Sequence, residues 1–191
     1  SDTGYVLLGR IIENVTSNPF HANLHDEFFT PLNMDDSYLM FRSEPANLPK
    51  KPIQRIWLND REISQFVSLS SDWAGGGIVS TPADLLKFHM ALRNDKLISP
   101  ALLGQMETFT NQFRPGINYG MGMMEVDFQD LSPMLRSLPR VTGHIGIWAT
   151  HMFYDNTTDS YINVNLGSSS CMNTSFEVLI ELMNTIRSVR S

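Results

Sequence analysis

Cysteine is nearly absent: one residue, Cys171, stands in a chain of 191. A single thiol closes no internal disulfide and supplies no thiolate cluster for zinc, so the fold must hold by packing alone. Cys171 itself reads as a small core filler, since nothing around it suggests a lowered pKa. Basic charge is also scarce, with Lys plus Arg 14 against Asp plus Glu 20 and a net charge of -6. No positive field exists to gather phosphates, and nucleic acid is not expected as a partner. Long apolar runs are missing too. Stretches such as Tyr5–Leu8 fall far short of the ~20 residues that span a bilayer, so no membrane span is expected. Otherwise the composition, 42% hydrophobic and 18% charged, is ordinary for one domain with a sizeable core.

Several catalytic signatures are absent as well. A Ser-x-x-Lys pair would place a hydroxyl and an amine one helical turn apart. The lysines are Lys50, Lys51, Lys87 and Lys96, and the residues three before them are Asn47, Leu48, Asp84 and Arg93, so no such pair exists. Gly-x-Ser-x-Gly, His-Glu-x-x-His and a Gly-Lys phosphate loop are likewise missing, which removes the esterase-elbow, zinc-protease and nucleotide-triphosphate readings. His21 and His25 sit four apart beside Asp26, but no third ligand is evident and they read as a solvated face. The methionines, Met121, Met123 and Met124 among them, read as core filling. The Asn-x-Ser/Thr triplets at Asn14, Asn156 and Asn173 carry little weight. No metal and no cofactor is implied.

What is present is a change of pattern along the chain. Val6, Leu7, Ile11 and Val15 lie on a helical spacing, and Asn18-Pro19 reads as the cap and first residue of a second helix ending near Thr30-Pro31. From Ser43 to Gln65, prolines 45, 49 and 52 predict an irregular crossing loop. Thr81-Pro82-x-Asp84 starts a helix to about Arg93, with Leu85, Phe88, His89 and Leu92 facing inward, and Ser99-Pro100 starts a short one through Met106. After Asn118 the segments Tyr119–Phe128, Gly143–Thr150, His151–Asp155 and Tyr161–Leu166 have strand composition, with a turn over Asp155–Ser160. Thr174-x-x-Glu177 reads as a capping box opening a last helix to about Val189, with Phe176, Ile180, Met183 and Ile186 on one face. Helices first, then an antiparallel meander and a covering helix, predict an α+β layer arrangement: one domain over 1–191, mainly helical over 1–116, with antiparallel strands and the terminal helix over 117–191.

Three ordered segments stand out: Ser1-Asp-Thr-Gly-Tyr-Val-Leu-Leu-Gly-Arg-Ile-Ile-Glu, then Ala74-Gly-Gly-Gly-Ile-Val-Ser-Thr-Pro-Ala-Asp-Leu-Leu-Lys-Phe, then Gly143-His-Ile-Gly. Together with Pro31-Leu-Asn-Met-Asp-Asp-Ser-Tyr and Tyr119-Gly-Met-Gly, they resemble the serine β-lactamase and penicillin-binding superfamily in its class C branch, which also holds DD-peptidases and serine esterases. The resemblance implies a β-lactamase-like fold and three catalytic elements: a Ser-x-x-Lys pair, a Tyr-x-Asn motif, and a Lys/His-Thr/Ser-Gly strand. Ser1-Asp2 resembles the last two positions of the second element, whose tyrosine would stand just before Ser1. The opening Ser-Asp-Thr-Gly-Tyr, without an initiator Met, reads as a cut start, and the chain as a C-terminal portion lacking its nucleophile and inactive alone. Tyr154-Asp-Asn156 and Tyr161-Ile-Asn163 also match Tyr-x-Asn but follow the third element instead of preceding it.

By the same resemblance His144-Ile145-Gly146 is the third element, the Ile147 amide is an oxyanion donor, and Ile145 and Trp148 border the substrate. Ile145 stands where the family has Thr or Ser, losing a hydroxyl for a ligand's carboxylate, and Asp2 stands where it has Asn. Both changes disfavour an anionic β-lactam and favour an ester or neutral peptide. The reading is a serine acyl hydrolase working through an acyl-enzyme on a small-molecule or peptide substrate (ester, amide or β-lactam); the alternative is a non-catalytic binding or scaffolding relative. Self-association or pairing with the absent half follows from uncovered apolar surface. A periplasmic or secreted location is implied by the resemblance alone.

Overall fold

A computed structural model describes residues 1–190. The chain forms two compact units, one of Ser1–Ile56 with Glu62–Ala91, the other of Trp57–Arg61 with the chain from Leu92 onward. In chain order the helices are α1 (Asp2–Thr16), α2 (Phe20–Leu24), α3 (Trp73–Gly76), α4 (Pro82–Arg93), α5 (Pro100–Met106), α6 (Phe128–Leu131) and α7 (Met172–Arg190). The strands are β1 (Tyr38–Leu39), β2 (Trp57–Leu58), β3 (Arg61–Glu62), β4 (Ile78–Val79), β5 (Asn111–Arg114), β6 (Ile117–Tyr119), β7 (Met124–Val126), β8 (Val141–Gly146), β9 (Thr150–Asp155) and β10 (Ser160–Asn165).

In the first unit α1 ends at Ser17, which adopts a left-handed conformation and donates its N–H to the Glu13 carbonyl. Asn18 does not cap the next helix. Pro19 occupies the capping position of α2, and the Glu13 carboxylate accepts from the Phe20 N–H at 2.8 Å. The partner lies seven residues upstream, which a search for local caps does not find. After α2 the chain widens into a π-helical turn over His25–Phe29, then stops before Pro31. Leu24, Phe29, Met34 and Leu39 form the core, joined by Phe20, Phe28, Trp73 and Phe88. Gly9 is where α1 meets α3: a Cβ there would lie 2.6 Å from that of Ala74. The apolar spacing of α1 does not mark a buried face, since Leu7 is 59%, Ile11 54% and Val15 80% exposed.

Two devices hold β1 and β4 onto α4. Asp84, buried on the first turn of α4, accepts from the Asp36 N–H, the Ser37 hydroxyl and the Lys87 ammonium. Ser37 and Ser80 join their hydroxyls at 2.7 Å beneath the antiparallel pair of β1 and β4. Of the inward positions expected on α4, His89 and Leu92 are buried and Leu85 and Phe88 half-buried. Along the crossing from Ser43 to Gln65, β2 and β3 add four strand residues where none were expected.

The second unit is built on a six-stranded antiparallel sheet in the order β10-β9-β8-β7-β6-β5. Strand structure begins at Asn111, earlier than the sequence pattern indicates, and the expected single strand over Tyr119–Phe128 is the end of β6, a turn, and β7. The expected strand Gly143–Thr150 also divides: β8 stops at Gly146 and the chain turns over 147–149, with Ala149 at φ 56. Gly116 makes the β5–β6 turn at φ 75, a conformation open to glycine. One face of the sheet packs Val126, Val141, Phe153 and Ile162 against Leu179 and Met183 of α7. Phe176, Ile180 and Ile186 flank that seam, so the expected face of the last helix is the one that docks. The helix starts at Met172, after a 3-10 turn over Ser169–Cys171 that Ser168 caps by accepting from the Ser170 N–H, so Thr174 lies within the helix and does not open it.

Candidate active site

Of the residues singled out in the sequence, Ser1 and Asp2 belong to the first unit, and His144, Ile145, Gly146, Ile147 and Trp148 to the second. Ser1 caps α1, its side chain accepting from the Gly4 N–H at 3.3 Å. Asp2 follows in the first turn, where a carboxylate complements the helix dipole. The 72–76 segment lies against this helix start: a Cβ on Gly75 would be 3.8 Å from the Asp2 carbonyl oxygen. Partial burial, and then the charge of Asp2, push the Asp72 carboxyl above its ordinary pKa.

In the second unit, β8 carries His144-Ile145-Gly146 into the middle of the sheet. On one side it stays paired with β9 through Gly146↔Thr150. On the other, β7 pairs only with Val141, Thr142 and Gly143. The last three residues, His144 to Gly146, therefore run beyond the end of β7 and present a strand edge within the sheet. An extended chain can add to such an edge by main-chain hydrogen bonds. Gly143 allows the close approach of β8 to β9, since any Cβ there would meet the Met152 carbonyl oxygen at 1.8 Å.

Side chains alternate along β8. His144 is half-buried, with its Nε2 3.3 Å from the Tyr119 hydroxyl and its Nδ1 2.8 Å from the Ile145 carbonyl. Burial lowers its pKa below the ordinary histidine value, against the opposing effect of the Ile145 carbonyl. Ile145 points to the other face and packs against the core cluster under α7. Its side chain therefore does not share a face with that of His144, because the two-residue period of a strand sends neighbouring side chains to opposite faces. Ile147, 61% exposed, starts the turn after β8, and Trp148 is half-buried beside it. Replacing Ile145 with Thr is expected to lower the unfolding free energy by about 1–2 kcal/mol, read from urea melts, because a hydroxyl would be turned into that apolar cluster.

The sequence pattern does not mark Tyr119 as a site residue, although it stands in the Tyr119-Gly-Met-Gly segment. Its signal was three-dimensional: β6 reaches the site only through the pairing Tyr119↔Met124 and Met124↔Gly143. His21 and His25 do not assemble a centre, as His25 Nε2 is engaged with the Ser43 hydroxyl at 3.2 Å. No group of three or more His, Cys, Asp or Glu suited to a metal occurs among the described residues.

The fold has solved counterparts. D-amino acid amidase from Ochrobactrum anthropi SV3, solved with L-phenylalanine amide, superimposes with a TM-score of 0.83 at 24% identity, over 100% of this chain and 57% of that one. The penicillin binding protein from Bacillus halodurans gives 0.68 at 18% identity, over 95% of this chain and 55% of that one. The octameric penicillin-binding protein homologue from Pyrococcus abyssi gives 0.65 at 21%, over 95% and 42%. This chain thus spans a little over half the length of the amidase it matches. The β-lactamase family matches residues 1–173, nearly the whole of both units. With the strand edge at His144–Gly146 and the helical segment from Asp2 in the matched region, the chain belongs to the β-lactamase family.

Proposed function

We propose that this chain is the C-terminal portion of a serine acyl hydrolase related to the class C branch, and that it binds the acyl substrate. The nucleophilic serine is supplied by a segment outside the 191 residues. Its hydroxyl adds to the carbonyl carbon of an ester or neutral amide and gives its proton to a base. The Ile147 amide donates to the developing oxyanion. The carbon–leaving-group bond then breaks, the leaving group takes up the proton, and water repeats the addition to release acid and serine. One observation carries this reading: the end of β8, bearing His144-Ile145-Gly146, is a strand edge free of β7 in a chain of this family. His144, held by burial below the ordinary histidine pKa, supports a substrate without a carboxylate. The amide seen with the D-amino acid amidase supports a small amide-bearing substrate.

Because no Ser-x-x-Lys pair is present, the 191 residues alone are inactive. The exposed Leu7, Ile11 and Val15 of α1 support association with the rest of a longer protein or with a second copy, and the octameric homologue supports the latter. The proposed location is periplasmic or secreted. A second reading, a non-catalytic binding relative, draws on the lack of a Ser-x-x-Lys pair among the 191 residues. Intact mass after exposure to a fluorophosphonate ester and to a penicillin separates the two. The expected result is no adduct on the 21.6 kDa chain and a fluorophosphonate adduct on the longer protein that contains it. An adduct on the 191-residue chain overturns the placement of the nucleophile. No adduct on either protein favours the binding relative.

A further inference from the structure

Tyr119, Met124 and Gly143 form one row across β6, β7 and β8. Beyond that row β7 has ended, and Tyr119 reaches past it to the next residue of β8: its ring meets that of His144 edge to face, with centroids 5.8 Å apart. Its hydroxyl lies 3.3 Å from His144 Nε2. The other ring nitrogen, Nδ1, faces the Ile145 carbonyl at 2.8 Å. A carbonyl oxygen can only accept, so Nδ1 carries the hydrogen. In a neutral ring Nε2 then holds a bare lone pair, and the Tyr119 hydroxyl is its donor. Both nitrogens of His144 are committed, one to its own strand and one to β6.

We propose that Tyr119 is a positioning residue for the third element: by donating to Nε2 it fixes His144 as the uncharged Nδ1–H tautomer, so that this position offers a ligand no cation. The inference deepens the proposed function, since it gives the acyl-binding site its charge state and rests on that reading for its consequence. A lysine at the same place would be a point charge for a carboxylate; a histidine pinned in this way is a fixed dipole.

Ring nitrogen spectra of the 191-residue chain labelled with 15N-histidine test this directly, with His144→Gln assigning the signals. In the unsubstituted chain at pH 7 and above His144 should show a protonated Nδ1 and a bare Nε2. In Tyr119→Phe the ring should be released, with a second tautomer appearing or the protonation midpoint rising by about one pH unit, because the donor that favoured the neutral form is gone. An unchanged backbone amide spectrum away from the site separates this from a loss of folding. An Nε2–H ring or an imidazolium in the unsubstituted chain at pH 7 overturns the proposal whatever the variant does. A ring state that Tyr119→Phe leaves unmoved overturns it as well. None of this needs turnover, so a failure of fluorophosphonate labelling would remove the hydrolase reading and leave the state of the ring standing.

Discussion

Gly143→Ala is expected to lower the unfolding free energy by about 3 kcal/mol or more, enough to move a urea midpoint visibly at unchanged slope. The added methyl would sit 1.8 Å from the Met152 carbonyl oxygen, 2.8 Å from the carbonyl carbon and 2.9 Å from the Phe153 Cα. All three are backbone atoms of β9, so no side chain can rotate away. Relief requires β8 and β9 to part, and both are central: Phe153 and Val141 are fully buried in the seam beneath α7. The same parting would shift His144, the next residue. A variant that unfolds with the unsubstituted chain would mean that β8 and β9 do not approach this closely. Gly146→Ala is the useful contrast, since its methyl would meet only the Thr150 side chain, at 3.2 Å. It should cost well under the Gly143 change.

The second large effect is acid loss of stability centred on His151. This histidine is fully buried on β9, between the rings of Phe153 and Phe176. Its Nε2 lies 2.6 Å from the Ser175 hydroxyl, which itself donates to the Met172 carbonyl at 2.7 Å. The hydroxyl proton is thus spent on α7, and the ring nitrogen is the donor. Nδ1 has no hydrogen-bond partner. A proton added there would be a buried charge without an acceptor, and burial pushes the His151 pKa down to about 4.

The sign follows from linkage. Below about pH 6.5 the unfolded chain binds a proton that the folded chain refuses until about pH 4. Stability from this group is therefore full above about pH 6.5, falls as the pH drops toward 4, and levels off below it. At about 1.4 kcal/mol per pH unit, the whole window is worth about 3 kcal/mol. Urea melts at pH 7, 6, 5 and 4.5 should show this decline, and His151→Phe should flatten it. Equal slopes in the two proteins would show that His151 is not the group that resists protonation.

Local chemistry made several elements legible. Ser99 before Pro100 starts α5, its side chain accepting from the Leu102 N–H, and Thr81 before Pro82 starts α4, where its Oγ1 accepts from the Asp84 N–H at 3.2 Å. Each cap depends on atoms within three residues. The hairpin from β9 to β10 was equally local, its turn held by the Asp155 carboxylate accepting from the Thr157 N–H and the Thr158 hydroxyl. The α7 stripe was legible because one helix face is buried along its length against the sheet.

The site was legible only in part. Gly143-His-Ile-Gly identified the strand, and the ordered segments identified the family. Which face of β8 each side chain takes was decided by the pleat, and which residues run past β7 by where that strand ends, and neither is written in the motif. The same holds for Tyr119, which is 25 residues from His144 in the chain.

By itself, then, the sequence determined the layer class, the starts of α4 and α5, the docking face of α7 and the family. These rest on periodicity and on contacts within a turn of chain. Only the tertiary structure decided that Glu13 caps α2, that Leu7, Ile11 and Val15 lie exposed, that Ile145 belongs to the core, and that Tyr119 holds His144. Each of these depends on atoms brought together across the fold, where burial and hydrogen-bond geometry decide and local propensity has no say.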